Sequence, residues 1–266
     1  MTTTSNKFEF APTTDQDLLI APWANPEKSN FHDLVLEPEF AARKYKFPLG
    51  STWFRILPAL PASKKAWMLG AYVLKYAGGQ HVHPRSFKAG SKSVFDLAYD
   101  WMREHQPAGL FSKSNKNGIR LLPDPACVFW ILVEEVGKTV ARLVVASGYD
   151  GTRGGTPGLG NQVLRATQEL DEDGKLVAKP AHSTEGVQIC IEKSQPPGAR
   201  YPGYSLRVGR TPAPVGQFIA RMDPVELASL TPLENVIHLP TVDEEWSILE
   251  KVIDPETVAE IRKAQA

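Results

Sequence analysis

"VFWILVEEVGKTVARLVVA", residues 128–146, decides the fold class. Two apolar runs rich in Val, Ile, Leu, Phe and Trp flank a Gly-containing turn at Val136–Lys138. Branched and aromatic residues suit a pleated surface, and a short turn between two such runs predicts a β-hairpin. Outward from it, similar runs predict strands near 52–58, 67–76, 127–136, 139–147, 187–193 and 203–209.

Helices are predicted at the margins of this β-rich region. In "SVFDLAYDWMREH" (93–105), Ser93 and Asp96 stand at capping-box spacing, and Val94, Leu97, Ala98, Trp101 and Met102 recur at helical spacing. "EPEFAARKYKF" (37–47) predicts a short helix with Pro38 near its start. A glycine-rich loop, "GYDGTRGGTPGLGN", leads into the helix "NQVLRATQELD". "DPVELASL" and "DPETVAEIRKAQA" each begin with an Asp cap followed by Pro. The expected fold is mainly β (α+β): an antiparallel, OB-fold-like barrel with a helical insertion and a helical acidic C-terminal segment. Residues 1–47 form an N-terminal arm and short helix, 48–215 the core, and 216–266 the C-terminal segment.

Of the 266 residues, 42% are hydrophobic and 23% charged, an ordinary globular balance. No run of about 18 apolar residues predicts a membrane span, and "MTTTSNKFEF" lacks the apolar core of a signal peptide, so a cytoplasmic protein is expected. Cys127 and Cys190 both fall within apolar runs and read as buried, reduced thiols. The net charge of zero hides a segregation. Residues 43–120 hold 14 Lys/Arg against three Asp/Glu, together with 12 of the 24 Phe, Trp and Tyr residues. Residues 222–266 hold ten Asp/Glu against three Lys/Arg. This is the pattern of a basic binding body with an acidic tail.

Several motifs fail on their chemistry. Gly155 and Gly160 have phosphate-loop spacing, but Asn161 and Gln162 stand where Lys and a hydroxyl are needed. The segment is expected to be a mobile loop, in which Tyr149 and Arg153 could serve as a clamp over a bound strand. His81 and His83 have no partners at zinc spacing and read as part of a basic hairpin tip, "GGQHVHPR"; no metal or other cofactor is expected. No nucleophile elbow or zinc-protease motif is present, and Asp96 and Asp100 read as a solvated helix face.

"STWFRILPALPASKKAWMLGAYVLKYAGG" (51–79) interleaves rings and cations. Lys and Arg neutralise phosphates, and aromatic faces stack unpaired bases. Strand alternation turns Trp53, Arg55 and Leu57 one way and Phe54 and Ile56 the other. Trp67 and Lys75 share one face of their strand, Tyr72 and Tyr76 the opposite one. On pattern alone, a single-stranded nucleic-acid surface and a solvated basic edge both stand.

"WFRILP", then "HPR", "KAGSKSVFDLAYDW" and "GIRLLPDPACVFWILV", then "SGYDGTRGG", "EGVQICIEKSQPPGARYPGYSLRVGR" and "TPAPV", occur in that order over about residues 50–215. In this order the chain resembles phage single-stranded DNA-binding proteins of the T-even helix-destabilising class. The resemblance implies an OB-fold core that coats single strands without strong sequence preference, in replication, recombination and repair. It implies no enzymatic activity and the host cytoplasm as location. It also implies replication or recombination proteins as partners of the acidic C-terminal segment. The zinc-binding cysteines of the T-even members are missing near residues 81–101, so their zinc is not carried over. On this reading Arg55, Lys75, Lys88, Lys92, Lys113, Lys116, Arg120 and Arg207 hold phosphates, with Arg153 in the clamp. Trp67, Tyr76, Tyr99, Trp101 and Tyr149 are the stacking rings. The alternatives are a nuclease, which needs an acidic Mg²⁺ cluster, and a structural phage protein with an OB-like barrel.

Overall fold

Arg120–Glu135 (β4) is a strand of 16 residues whose central part is buried on both faces. Ala126, Val128, Trp130 and Leu132 enter one core; Cys127, Phe129, Ile131 and Val133 enter a second. A strand covered on both sides needs no polar alternation, which is why "ACVFWILV" runs without a break. The computed structural model describes residues 36–61, 67–76, 79–83, 92–106, 120–151, 156–198 and 202–265. The predicted arm over residues 1–35 lies outside them.

Seven strands form one antiparallel sheet. Besides β4 they are Gly50–Ile56 (β1), Met68–Tyr76 (β2), Gly79–Val82 (β3), Lys138–Ser147 (β5), Val187–Ser194 (β6) and Gly203–Pro212 (β7). The pairing path is β3-β2-β4-β1-β6-β7, with β5 paired to β4. The chain is therefore α+β, and among the described residues no pairing joins β3 to β7 to close a barrel. β4 and β5 meet in a two-residue turn with Glu135 opposite Lys138. Val136 and Gly137 there have φ of 50° and 77°, the doubly left-handed turn that matches strand twist.

Helices cover both faces. Leu159–Gln168 (α3) packs Val163 and Leu164 into the second core. Val215–Ile219 (α4), Pro224–Ala228 (α5) and a 3₁₀ turn at Leu233–Asn235 cover the first. Val94–His105 (α2) carries the expected capping box of Ser93 and Asp96. It buries Val94, Phe95, Ala98 and Met102 against Leu249, Val258 and Ile261 of two C-terminal helices, Val242–Val252 (α6) and Pro255–Lys263 (α7). Glu245 on α6 accepts a 2.7 Å bond from the Val94 N–H, so the acidic segment is docked.

Three local expectations are corrected. Of the helix expected over 37–47, only Pro38–Ala41 (α1) is helical. From Arg43 the chain extends, because the Tyr45 N–H donates to the Leu143 carbonyl (2.8 Å) and the Leu143 N–H to that of Arg43 (2.9 Å). The open edge of β5 offers that segment sheet pairing in place of helix. His81 and His83 do not form an exposed tip: β3 and the residue after it bury both rings beside Phe95. Asp96 is not on a merely solvated face, since it bonds Ser93 and lies 3.4 Å from His83 Nε2.

Candidate nucleic-acid interface

Two predicted contacts are core residues. Arg55 is fully buried, and its guanidinium donates to the carbonyls of Ala213 and Ile56, each at 2.8 Å, and to those of Pro180 and His182. Burial lowers its pKa to about 9, so it remains a cation at neutral pH, balanced by carbonyl dipoles. It cannot reach a phosphate, and its assignment is corrected: it ties β1 to residues 180–182 and to Ala213. Trp67 is also corrected. It is 4% exposed, and its ring stands edge-on to Phe129 at 6.1 Å within the second core.

The remaining predicted residues whose side chains are described lie at α2, beyond β5 and on β7. Lys92 is exposed, but its ammonium lies 2.9 Å from Asp100. Tyr99 and Trp101 are half-buried on α2, packed against the apolar cluster that α2 shares with the C-terminal helices. The Arg103 guanidinium covers the Tyr99 ring at 6.0 Å, and Trp101 stacks on His105 at 4.5 Å. Tyr149 is half-buried beyond β5, and Arg207 is exposed on β7. Lys88, Lys113, Lys116 and Arg153 lie outside the described residues, as do the side chains of Lys75, Tyr76 and Arg120.

The structure brings together a different set. A cleft of about 600 Å³ opens between the extended segment 44–47, the end of β5, the start of α3 and the β6–β7 hairpin. Lys44, Lys46 and Lys193 line it, with the rings of Tyr45, Phe47 and Tyr204 and with Gln162 as a further polar group. Its described lining contains no carboxylate. Lys193 and Tyr204 are cross-strand partners, so register places them side by side. The Lys193 ammonium donates to the Phe47 carbonyl (2.8 Å) and stands 6.0 Å from the Tyr204 ring centroid. Burial raises the Tyr45 phenol above its ordinary value, a shift partly offset by its bond with Thr52, so this ring is neutral.

The glycine-rich loop contributes one wall through Thr156, Pro157 and Gly158. Gly158 and Gly160 are there for packing: a Cβ on the first would overlap Ser147, and on the second the Cys127 sulfur. Their absent side chains let α3 lie directly on β4 and β5. The loop's ends are fastened by Gly158 N–H to the Tyr149 carbonyl and Arg165 to the Asp150 carbonyl, each 2.8 Å.

Sequence reasoning missed Lys44, Tyr45 and Lys46 because their segment reads as helix. In extended form, the same "KYK" is the ring-and-cation alternation recognised elsewhere in the chain. Lys193 and Tyr204 become neighbours only through hairpin register. No known family model matches the chain, and no curated protein matches it. Among the described residues no helix is long and apolar enough to cross a membrane.

Proposed function

We propose that this protein binds single-stranded DNA without strong sequence preference and protects it in replication, recombination and repair. The resemblance to phage single-stranded DNA-binding proteins and the charge segregation both support this reading. Its α+β sheet serves, on this proposal, as an OB-fold-like core, with no catalytic step. The observation that carries the proposal is the cleft in which Lys44, Lys46 and Lys193 stand beside the Tyr45 and Tyr204 rings. Cations drive binding by counterion release, and rings stack any base. Together they suit a polymer that presents phosphates and unpaired bases at once.

Fluorescence anisotropy with oligothymidylate and with duplex of equal length tests this, across a salt series and with or without Mg²⁺. The expected result is tight single-strand binding, weak duplex binding and intact DNA. Equal affinity for both forms at every salt concentration refutes single-strand selectivity. Mg²⁺-dependent loss of the oligonucleotide identifies a nuclease instead.

A further inference from the structure

The β1–β6–β7 part of the sheet has a second face, opposite the cleft and the second core. Phe54, Ile189, Ile191 and Leu206 point inward to that core. Register sets Trp53 opposite Cys190 and Cys190 opposite Arg207, so these three side chains form a row on the outer face. The middle of the row is sealed, with Cys190 at 0% exposure, while Trp53 is 48% exposed and Arg207 is exposed. The Arg207 guanidinium is held by Ser51 Oγ at 3.2 Å and Cys190 Sγ at 3.6 Å. Neither partner is a carboxylate, so these contacts fix the position of Arg207 without pairing its charge to an acid. Beyond the row, Gly209 lies beside the indole: a Cβ there would touch its Cζ3 at an ordinary 3.6 Å and crowd the Gln188 carbonyl at 2.9 Å.

Charge gives this face a direction. Glu192, opposite Ser51 and Ser205, stands two residues from Cys190 toward the β6–β7 turn. A polyanion on this face is thus repelled at the Glu192 end and drawn toward Arg207.

We infer that this outer row is a second contact for single-stranded DNA, with Trp53 stacking an unpaired base and Arg207 holding a neighbouring phosphate. The inference rests on the proposed single-strand binding and adds a site on the face opposite the cleft. Trp53 is 48% exposed, so its side chain is accessible from solvent. The adjacent cation supplies the phosphate partner that a chance surface tryptophan lacks.

The test compares wild type, Trp53→Ala, Arg207→Ala and the cleft variant Lys44→Glu/Lys46→Glu. Each is titrated with oligothymidylate and with an abasic oligomer of the same length, and each is melted thermally. Trp53→Ala is expected to weaken oligothymidylate binding about tenfold or more. It keeps its affinity for the abasic chain. Arg207→Ala weakens both and lowers the salt slope by about 0.7, one contact's share. Indole quenching gives a readout independent of Trp53→Ala folding: the quench lost in Trp53→Phe reports the stacked ring. Wild-type affinity and quenching in the Trp53 variants overturn the inference. If the cleft variant then still loses binding, the proposed function stands alone. A wild-type protein that binds neither oligomer overturns both.

Discussion

Gly186 lies directly against the Arg55 guanidinium: a Cβ at residue 186 would overlap both that group and the His182 carbonyl. The pair works as a staple. Arg55 supplies the donors, the turn at 180–182 and Ala213 supply carbonyls, and Gly186 supplies the space. Arg55→Leu strands these buried carbonyls, and is expected to lower unfolding free energy by at least about 3 kcal/mol. Gly186→Ala should destabilise by displacing the same guanidinium. Urea denaturation measures both. Arg55→Leu with wild-type stability and weakened DNA binding would return Arg55 to the phosphate contacts.

Trp67 and Trp53 should separate stability from binding. Trp67 is buried against Phe129, so Trp67→Ala leaves a cavity and should cost about 3–5 kcal/mol. Trp53→Ala removes a half-exposed ring and should shift Tm little. Thermal melts of the two variants side by side decide the matter; a stable Trp67→Ala protein would contradict the core placement.

Much of the fold was legible because it is written in local patterns. The hairpin at Val136–Gly137, the Ser93–Asp96 capping box and the Asp-Pro starts at Asp223 and Asp254 all appear as expected. Each depends on residues a few positions apart. Of the residues expected to bind, Arg55 and Trp67 were legible by type and misplaced by position. Arg55 lies in a basic, aromatic strand, but a loop more than 120 residues away in sequence covers it. Strand alternation puts Trp53 and Arg55 on one face; the loop over residues 180–186 decides which of them meets solvent. The helix expected at 37–47 failed because β5 offers backbone partners to residues 43–45 that propensity cannot see.

Glu245 gives the docked C-terminal segment a pH signature. Burial raises its carboxyl to about 6; the Val94 N–H opposes the shift and Asp96 adds to it. A folded-state value above the unfolded 4.5 means the native protein holds this proton more tightly. That contribution is complete below about pH 4.5 and is lost as pH rises through about 6. Glu245→Gln keeps an acceptor for Val94 and cannot ionise. It should therefore melt a few degrees above wild type at about pH 7–8 and match it near pH 4.5. Asp96 shifts the other way: burial raises it, but the bonds and charges of His83 and Ser93 outweigh this and hold it at about 2. Its contribution is present above the ordinary aspartate value and is lost as pH falls through about 2, in both proteins alike. A Glu245→Gln advantage that is constant with pH would show that Glu245 does not titrate on folding.

Deleting residues 240–266 should act first on stability. Leu249, Val258 and Ile261 would leave the surface of Val94, Phe95 and Ala98 uncovered, at about 1.5–3 kcal/mol for each large side chain lost. The truncated protein should melt earlier and expose apolar surface to a hydrophobic dye. It also loses seven acidic and three basic residues, so any gain in DNA affinity should shrink as salt rises. Unchanged Tm after truncation would contradict the docking.

The cleft makes the sharpest distinction between charge and stacking. Lys46 is exposed at its rim, and Tyr204 is half-buried in its wall. Lys46→Ala should lower oligothymidylate affinity and reduce the slope of log K against log salt by about 0.7. Tyr204→Leu removes a ring and displaces no counterion, so its loss of about 1–3 kcal/mol should leave that slope unchanged. Part of Tyr204 also packs on the second core, and leucine retains most of that apolar contact. The same ring lies beside the Lys193 ammonium, whose bond to the Phe47 carbonyl holds the wall in place. Tyr204→Leu combined with Lys46→Ala should then lower the slope no further than Lys46→Ala alone, while the affinity losses add. Measured slopes that follow Tyr204 in place of Lys46 would mean that the ring positions cations without stacking on bases.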